Sequence, residues 1–176
     1  MARNTLSRAL HDLGLSAWFG GTLANAVALN AAAGEAGKDT GRVANEGWNR
    51  WTPVNAAAIG AHLIGSVGQL GANKDRVAQQ KGVGGMSAAK TLLTAAALGA
   101  TAYSRSLGMV VNSQDNPSSR SGTKPTKRTK AEIAAAQEQL DTLQWVIPAL
   151  TGALVWVSSY AGEQQRASEV LSGVRR

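Results

Sequence analysis

Cysteine is absent from the 176-residue chain, which removes disulfides, thiolate metal ligands and cysteine nucleophiles together and excludes a zinc ribbon. Other chemistry-bearing arrangements are missing too. There is no glycine-rich phosphate loop, no pair of carboxylates inside an apolar window, no serine, histidine and aspartate set that can be placed, and no metal-ligand spacing. No catalytic residue and no metal site is therefore assigned, and an enzyme is not the expectation. Internal repeats are lacking, and no apolar run is unbroken. Charge is thin as well, at 16% of residues, and its placement is informative.

Between Asp12 and Glu35 lie 22 residues without a formal charge, between Arg50 and Lys74 lie 23, and between Asp141 and Glu163 lie 21. At this charge content one given run of about 22 neutral residues has a chance of roughly 2%, so three such runs point to surroundings that exclude charge. A shorter window, "TLLTAAALGATAYS", separates Lys90 from Arg105; it reaches spanning length if both cations extend their stems toward the interfaces, where they act as anchors. The overall averages, 44% hydrophobic with a mean hydropathy of -0.13, resemble those of a soluble protein and conceal this distribution. A soluble bundle is the competing reading, but its wet faces would carry a charged residue about once per turn. The net charge of +7 sits in connecting segments and not on one ordered face, so nucleic acid is not expected as a partner.

These windows predict an all-α fold: a four-helix transmembrane bundle with a polar interior seam, forming a single membrane domain over residues 1–176. Helices are expected at about 8–34, 51–73, 86–110 and 130–165. Residues 35–50 read as a mixed-charge loop, 74–85 as a short basic one, and 112–129 as a flexible, disordered basic loop between the third and fourth helices. Trp48, Trp51, Trp145, Trp156 and Tyr160 fall near window ends, as interfacial belts do. Arg3, Arg8 and "ALNAAAG" imitate a secretory signal, yet Asp12, Asn25 and Asn30 suit one poorly, and an uncleaved first span is expected. Lys and Arg divide nine to nine between the two sides of a four-span topology, so orientation stays open.

Polarity inside the windows is organised. At 100° per residue, Asn55, His62, Ser66, Gln69 and Asn73 share one face of the second helix; His11, Thr22 and Asn25 share one on the first, Thr94, Thr101 and Arg105 one on the third, and Gln144, Thr151 and Ser158 one on the fourth. Asn25, Asn55, His62, Ser66, Gln69, Thr101 and Thr151 are the expected interior seam, because unpaired polar groups are costly in hydrocarbon and should face one another. Small-residue ladders such as Gly20, Ala24, Ala28 and Ala32 would let helices approach. With a loop centred near residue 43, His62 falls beside Asn25, and His11 lies about 20 Å away in depth. A haem held by both histidines is then disfavoured, leaving His11 or His62 as a single cofactor ligand.

"LHDLGLSAWFGG", residues 10–21, resembles the opening of the first membrane helix in the copper-resistance D proteins and the membrane-bound, haem-containing protoporphyrinogen oxidases, through Leu10, His11, Trp18, Gly20 and Gly21. It covers about twelve residues. The alanine-rich texture of "RVANEGWNRWTPVNAAAIGAHL" and "LQWVIPALTGALV" is similar to small four-helix integral membrane proteins of actinobacterial type, a likeness that implies a class and no activity. The first expectation is a multi-pass protein of the cell membrane, in contact with the lipid bilayer and with membrane-protein partners or further copies of itself, serving as a structural or accessory component. A haem- or metal-binding redox protein using His11 or His62, with haem b as the cofactor, is one alternative. A small-solute or proton pathway is another.

Overall fold

Alanine has the highest helix propensity and dominates every neutral window. In the computed structural model, which describes residues 4–166, each of those windows is helical. Helix α1 (Thr5–Ala24) passes through a π turn at Asn25–Leu29 into α2 (Asn30–Gly34), and a 3-10 turn at Gly37–Asp39 leads into α3 (Thr40–Ala72). A short α4 (Lys74–Gln79), α5 (Val83–Val111), the antiparallel strands β1 (Ser119–Ser121) and β2 (Lys124–Pro125), and α6 (Ala131–Glu163) complete the order. Arg3 of the signal-like segment lies outside the described residues.

The chain divides into two compact units, one drawn from Met1–Trp18, Ala57–Ala97 and Leu150–Arg176, the other from Phe19–Ala56 and Leu98–Ala149. In the first, α1 and α3 run antiparallel in backbone contact. A Cβ at Gly14 would stand 2.4 Å from the Ala58 carbonyl oxygen and 2.5 Å from the His62 nitrogen; one at Gly65 would stand 2.3 Å from the His11 nitrogen. Only glycine fits. The end of α6 is tied to α4 by Arg76 and Gln80, which both donate to the Gln164 carbonyl, and to α1 by the hydrogen bond of Arg8 with Gln165.

The second unit repeats the device with other residues: Gly21 lies against the Trp51 ring and Gly47 against Leu29. Its apolar cluster joins Leu107 and Val111 of α5 to Ile133 and Ala136 of α6. The π turn has a geometric purpose here. Buried positions on α1 and α2 run Trp18, Thr22, Ala26, Asn30, and three steps of four residues would drift about 120° around a regular helix. One wider turn takes that drift back and keeps Asn30 facing inward.

Several expectations need correction. Residues 40–50 belong to α3 and are not a loop, because Arg42, Glu46 and Arg50 are accommodated on the helix: Arg50 donates to Glu46 at 2.7 Å, one turn away. Part of the 74–85 segment is helical too, as α4. The segment 112–129 is not disordered. Its hairpin is held by Gly122 N–H donating to the Asn30 carbonyl (3.1 Å) and Asn116 donating to that of Lys38 (2.9 Å), with Pro117 and Thr123 buried. The ladder of Gly20, Ala24, Ala28 and Ala32 is exposed, and a Cβ at Gly20 meets nothing within 4 Å. Among the described residues one helix, α6, is long and apolar enough to cross a membrane, and only 22% of its apolar window is buried. A transmembrane bundle of four spans thus exceeds what hydropathy gives, since alanine, glycine, threonine and asparagine dilute the other three windows.

Substitutions follow from these contacts. Gly14→Ala and Gly65→Ala should each lower stability by about 1–3 kcal/mol through overpacking. Gly20→Ala, in open space, should gain up to about 1 kcal/mol of helix propensity. Thermal unfolding followed by circular dichroism checks this: midpoints moving the same way in all three variants would contradict it.

Candidate functional site

His11 on α1 and His62 on α3 lie side by side, with ring centres 4.6 Å apart and planes tilted by 47°. The expected 20 Å separation is wrong. The chain reverses at the turn around residue 37, and a six-residue error in the centre becomes twelve residues in the partner register. His62 therefore meets His11, and its expected neighbour Asn25 belongs to the other unit. Both imidazoles are buried, at 1% and 0% exposure, in a chain with no other histidine. Trp18 adds a ring centre 6.1 Å from that of His62.

The hydrogen bonds define which ring nitrogens carry protons. His11 Nδ1 pairs with Asp12 Oδ1 at 2.7 Å, and His62 Nδ1 with the His11 carbonyl oxygen at 3.4 Å. Carboxylate and carbonyl oxygens accept, so each Nδ1 donates and each Nε2 is left with a lone pair. Both Nε2 atoms are buried and have no hydrogen-bond partner. Asp12 is itself 61% exposed, so one face of this small cluster reaches the surface. Opposite charges, Asp12 and Lys90, act on both rings.

No protein family, curated protein or solved structure matches the chain. Geometry alone must carry the functional reading. A porphyrin between the two histidines does not fit this arrangement: the α1 and α3 backbones touch at Gly14 and again at Gly65, and a macrocycle would have to force them apart. Among the described residues no group of three or more His, Cys, Asp or Glu side chains could hold a metal ion. What the pair offers is two bare imidazole nitrogens in a water-poor place.

The other seam residues all turn at least partly inward. Thr151 is buried; Asn25, Asn55, Ser66, Gln69 and Thr101 are half-buried. Ser66 donates to the His62 carbonyl at 2.8 Å, whereas Asn25 Nδ2, Asn55 Oδ1, Gln69 Nε2 and Thr101 Oγ1 are buried atoms with no partner. Of the two anchors, Arg105 is exposed and Lys90 half-buried.

Sequence reasoning missed a second polar group, in the other unit. Asn30 donates from Nδ2 to Gln144 Oε1 (2.8 Å) and accepts at Oδ1 from Trp48 Nε1 (2.9 Å), while Gln144 and Thr123 both donate to Asp141 Oδ1 (2.8 and 2.7 Å). Gly122 has to be glycine beside it, since a Cβ would stand 2.2 Å from Asn30 Oδ1. The available signal was the asparagine of "ALNAAAG", but only the π turn brings it inward. These partners satisfy one another, which makes the group a structural clasp. Asn30→Ala should cost about 1–3 kcal/mol by stranding the Trp48 N–H and Gln144. Asn25→Ala, which removes an already unpaired amide, should change stability by less than about 1 kcal/mol. Denaturation midpoints of the two variants test the contrast, and equal losses would refute it.

Proposed function

We propose that the protein is a multi-pass integral membrane protein whose long helices, α1 with α2, α3, α5 and α6, cross the cell membrane, and that it serves as a structural or accessory component of a membrane assembly. What carries this reading is an inverted distribution of side chains. The buried hydrophobic set is rich in alanine, and His11, Thr22, Asn30, His62, Gln137 and Thr151 are buried among it. Many large apolar side chains point outward: Leu6 is 74% exposed, Leu13 71%, Val67 72% and Trp156 79%, with Ile64, Leu92 and Met109 beside them in kind.

Soluble proteins scatter single hydrophobics over their surface without consequence. Here many of the exposed apolar residues, Ile64, Val67, Leu70, Trp145, Val146, Trp156 and Tyr160 among them, fall inside windows that carry no charge. Along α6, Trp145, Val146, Trp156 and Tyr160 are exposed within the stretch from Asp141 to Glu163 that has no charged residue. Water gives such a face nothing to bond, whereas lipid tails and an interfacial aromatic belt accept it. With no serine, histidine and aspartate set that can be placed, no carboxylate pair inside an apolar window and no phosphate loop, a structural role is favoured over catalysis.

Fractionation tests the proposal. The full-length chain should sediment with membranes, resist an alkaline carbonate wash and enter solution only with detergent. Recovery as a monodisperse species in detergent-free buffer would overturn it.

A further inference from the structure

We propose that the hairpin of β1 and β2 is a docking surface for the phosphate head groups of anionic phospholipid, with Arg120 and Lys124 as its contact residues. The inference rests on the membrane reading above and adds to it which lipid the protein selects and where.

Charge singles the segment out. Between Asp115 and Glu132 there is no acidic residue, and Arg120, Lys124, Lys127, Arg128 and Lys130 are all exposed. Arg42 and Arg50 of the same unit are paired with Asp39 and Glu46, whereas none of these five joins an ion pair among the described residues. The nearby carboxylate of Asp141 is taken up by Thr123 and Gln144. A solvated linker would keep its conformational freedom. This segment is ordered instead: Gln137 donates to Ser119 Oγ (2.7 Å), the Thr126 N–H to Thr129 Oγ1 (2.8 Å), Thr129 to the Ser118 carbonyl and Arg120 Nε to the Pro125 carbonyl (3.1 Å). Unpaired cations are thus held at fixed places.

Their depth identifies the partner. Trp48 and Gln144 both bond the Asn30 amide, and these three residues lie within five positions of Arg50, Asp141 and Glu35, where three charge-free windows have their edges. At 1.5 Å per residue that is within about 8 Å of the border of the zone assigned to hydrocarbon. The hairpin folds back to this level. Gly122 N–H donates to the Asn30 carbonyl, Gln144 to Thr123 Oγ1 at 3.3 Å, and the Arg120 carbonyl packs on Gly34, where a Cβ would stand 2.7 Å from its oxygen. Arg120 and Lys124 flank that tip on opposite strands, which puts their charges at the head-group layer, about 5–7 Å thick on each side of a bilayer. Trp145, next to Gln144 and 52% exposed, takes the position of an interfacial aromatic. Lys130 precedes Asp141 by eleven residues of helix, about 16 Å, so the outer cations stand more than a Debye length of about 8 Å from the same border. A nucleic acid would engage the outer cations as readily as the inner ones, whereas the two at the window edge are those within reach of a lipid phosphate.

The test titrates the full-length protein, purified in detergent, into micelles carrying a trace of fluorescently labelled phosphatidylglycerol or phosphatidylcholine, with binding read as lipid anisotropy. Phosphatidylglycerol should bind at least about tenfold more tightly, and the preference should vanish near 1 M salt, where the Debye length is about 3 Å. At about fivefold per cation, Arg120→Gln/Lys124→Gln should weaken phosphatidylglycerol by roughly 25-fold and leave circular dichroism unchanged. Lys124→Gln alone, which removes no side-chain hydrogen bond, should weaken it about fivefold and serves if loss of the Arg120 bond disturbs the hairpin. Lys127→Gln/Arg128→Gln removes the same charge and should cost less than about fivefold. Equal affinity for the two lipids, a folded inner variant that binds like the parent, an outer pair that matters as much as the inner, or an oligonucleotide that binds more tightly than the lipid would each overturn the inference. A carbonate wash separates the two questions: a membrane-embedded parent without lipid preference overturns this surface alone, while recovery in detergent-free buffer overturns the membrane reading and the surface with it.

Discussion

Backbone contact between helices is the constraint from which the other features follow. At Gly14 and Gly65 in one unit the backbone of a neighbouring helix occupies the place where a β-carbon would stand, and at Gly21 and Gly47 in the other a side chain, Trp51 or Leu29, does. Helices that close leave little volume between them. Alanine, glycine itself and a few flat or slender polar groups therefore make up much of the interior, with a smaller set of large residues, Leu15, Trp18, Leu107, Ile133, Ile147 and Leu154, buried among them. The remaining large apolar residues take the outer faces. The inside-out appearance of the protein is therefore a packing consequence, and not a separate property that needs its own cause.

The same closeness sorts the buried polar residues into two kinds. Around Asn30 donors and acceptors match, and the clasp joins α2, α3, the hairpin and α6 through bonds that each end on a partner. Around His11 and His62 they do not match, since two donors are used and two acceptors are left over. Low dielectric strengthens a complete network and penalises an incomplete one.

Much of the architecture was legible in the sequence, for a physical reason: a helix needs only local propensity and spacing, and both are written in the windows. The four long helices occupy the four neutral stretches, and the seam residues face inward because a 100° step fixes which side they share. Tertiary register was not legible. Glu35, Lys38, Asp39, Arg42, Glu46 and Arg50 look alike as a loop and as an exposed helical face, so nothing local marks the reversal at residue 37. That ambiguity alone concealed the histidine pair. The hairpin was missed for a related reason: "SSRSGTKPT" has the composition of a disordered linker, and its order comes from Asn30, Lys38 and Asp141, all of them distant in sequence.

Hydropathy and packing pull in opposite directions here, which explains why α6 alone is apolar enough by composition to cross a membrane. In water, helices associate by withdrawing large apolar side chains, and a hydropathic sequence follows. In lipid that driving force is absent, and association relies on close van der Waals contact and interhelical hydrogen bonds, for which glycine, alanine, serine and threonine are the suitable residues. Each such residue lowers the average that a span is judged by. On the membrane reading proposed here, α1 and α3 have low hydropathy because they meet in backbone contact through small residues, and α6 has high hydropathy because Val146, Ile147, Leu150, Leu154 and Val155 follow one another in its neutral stretch. Freedom from charge along a central window, and not mean hydropathy, is then the property the four share.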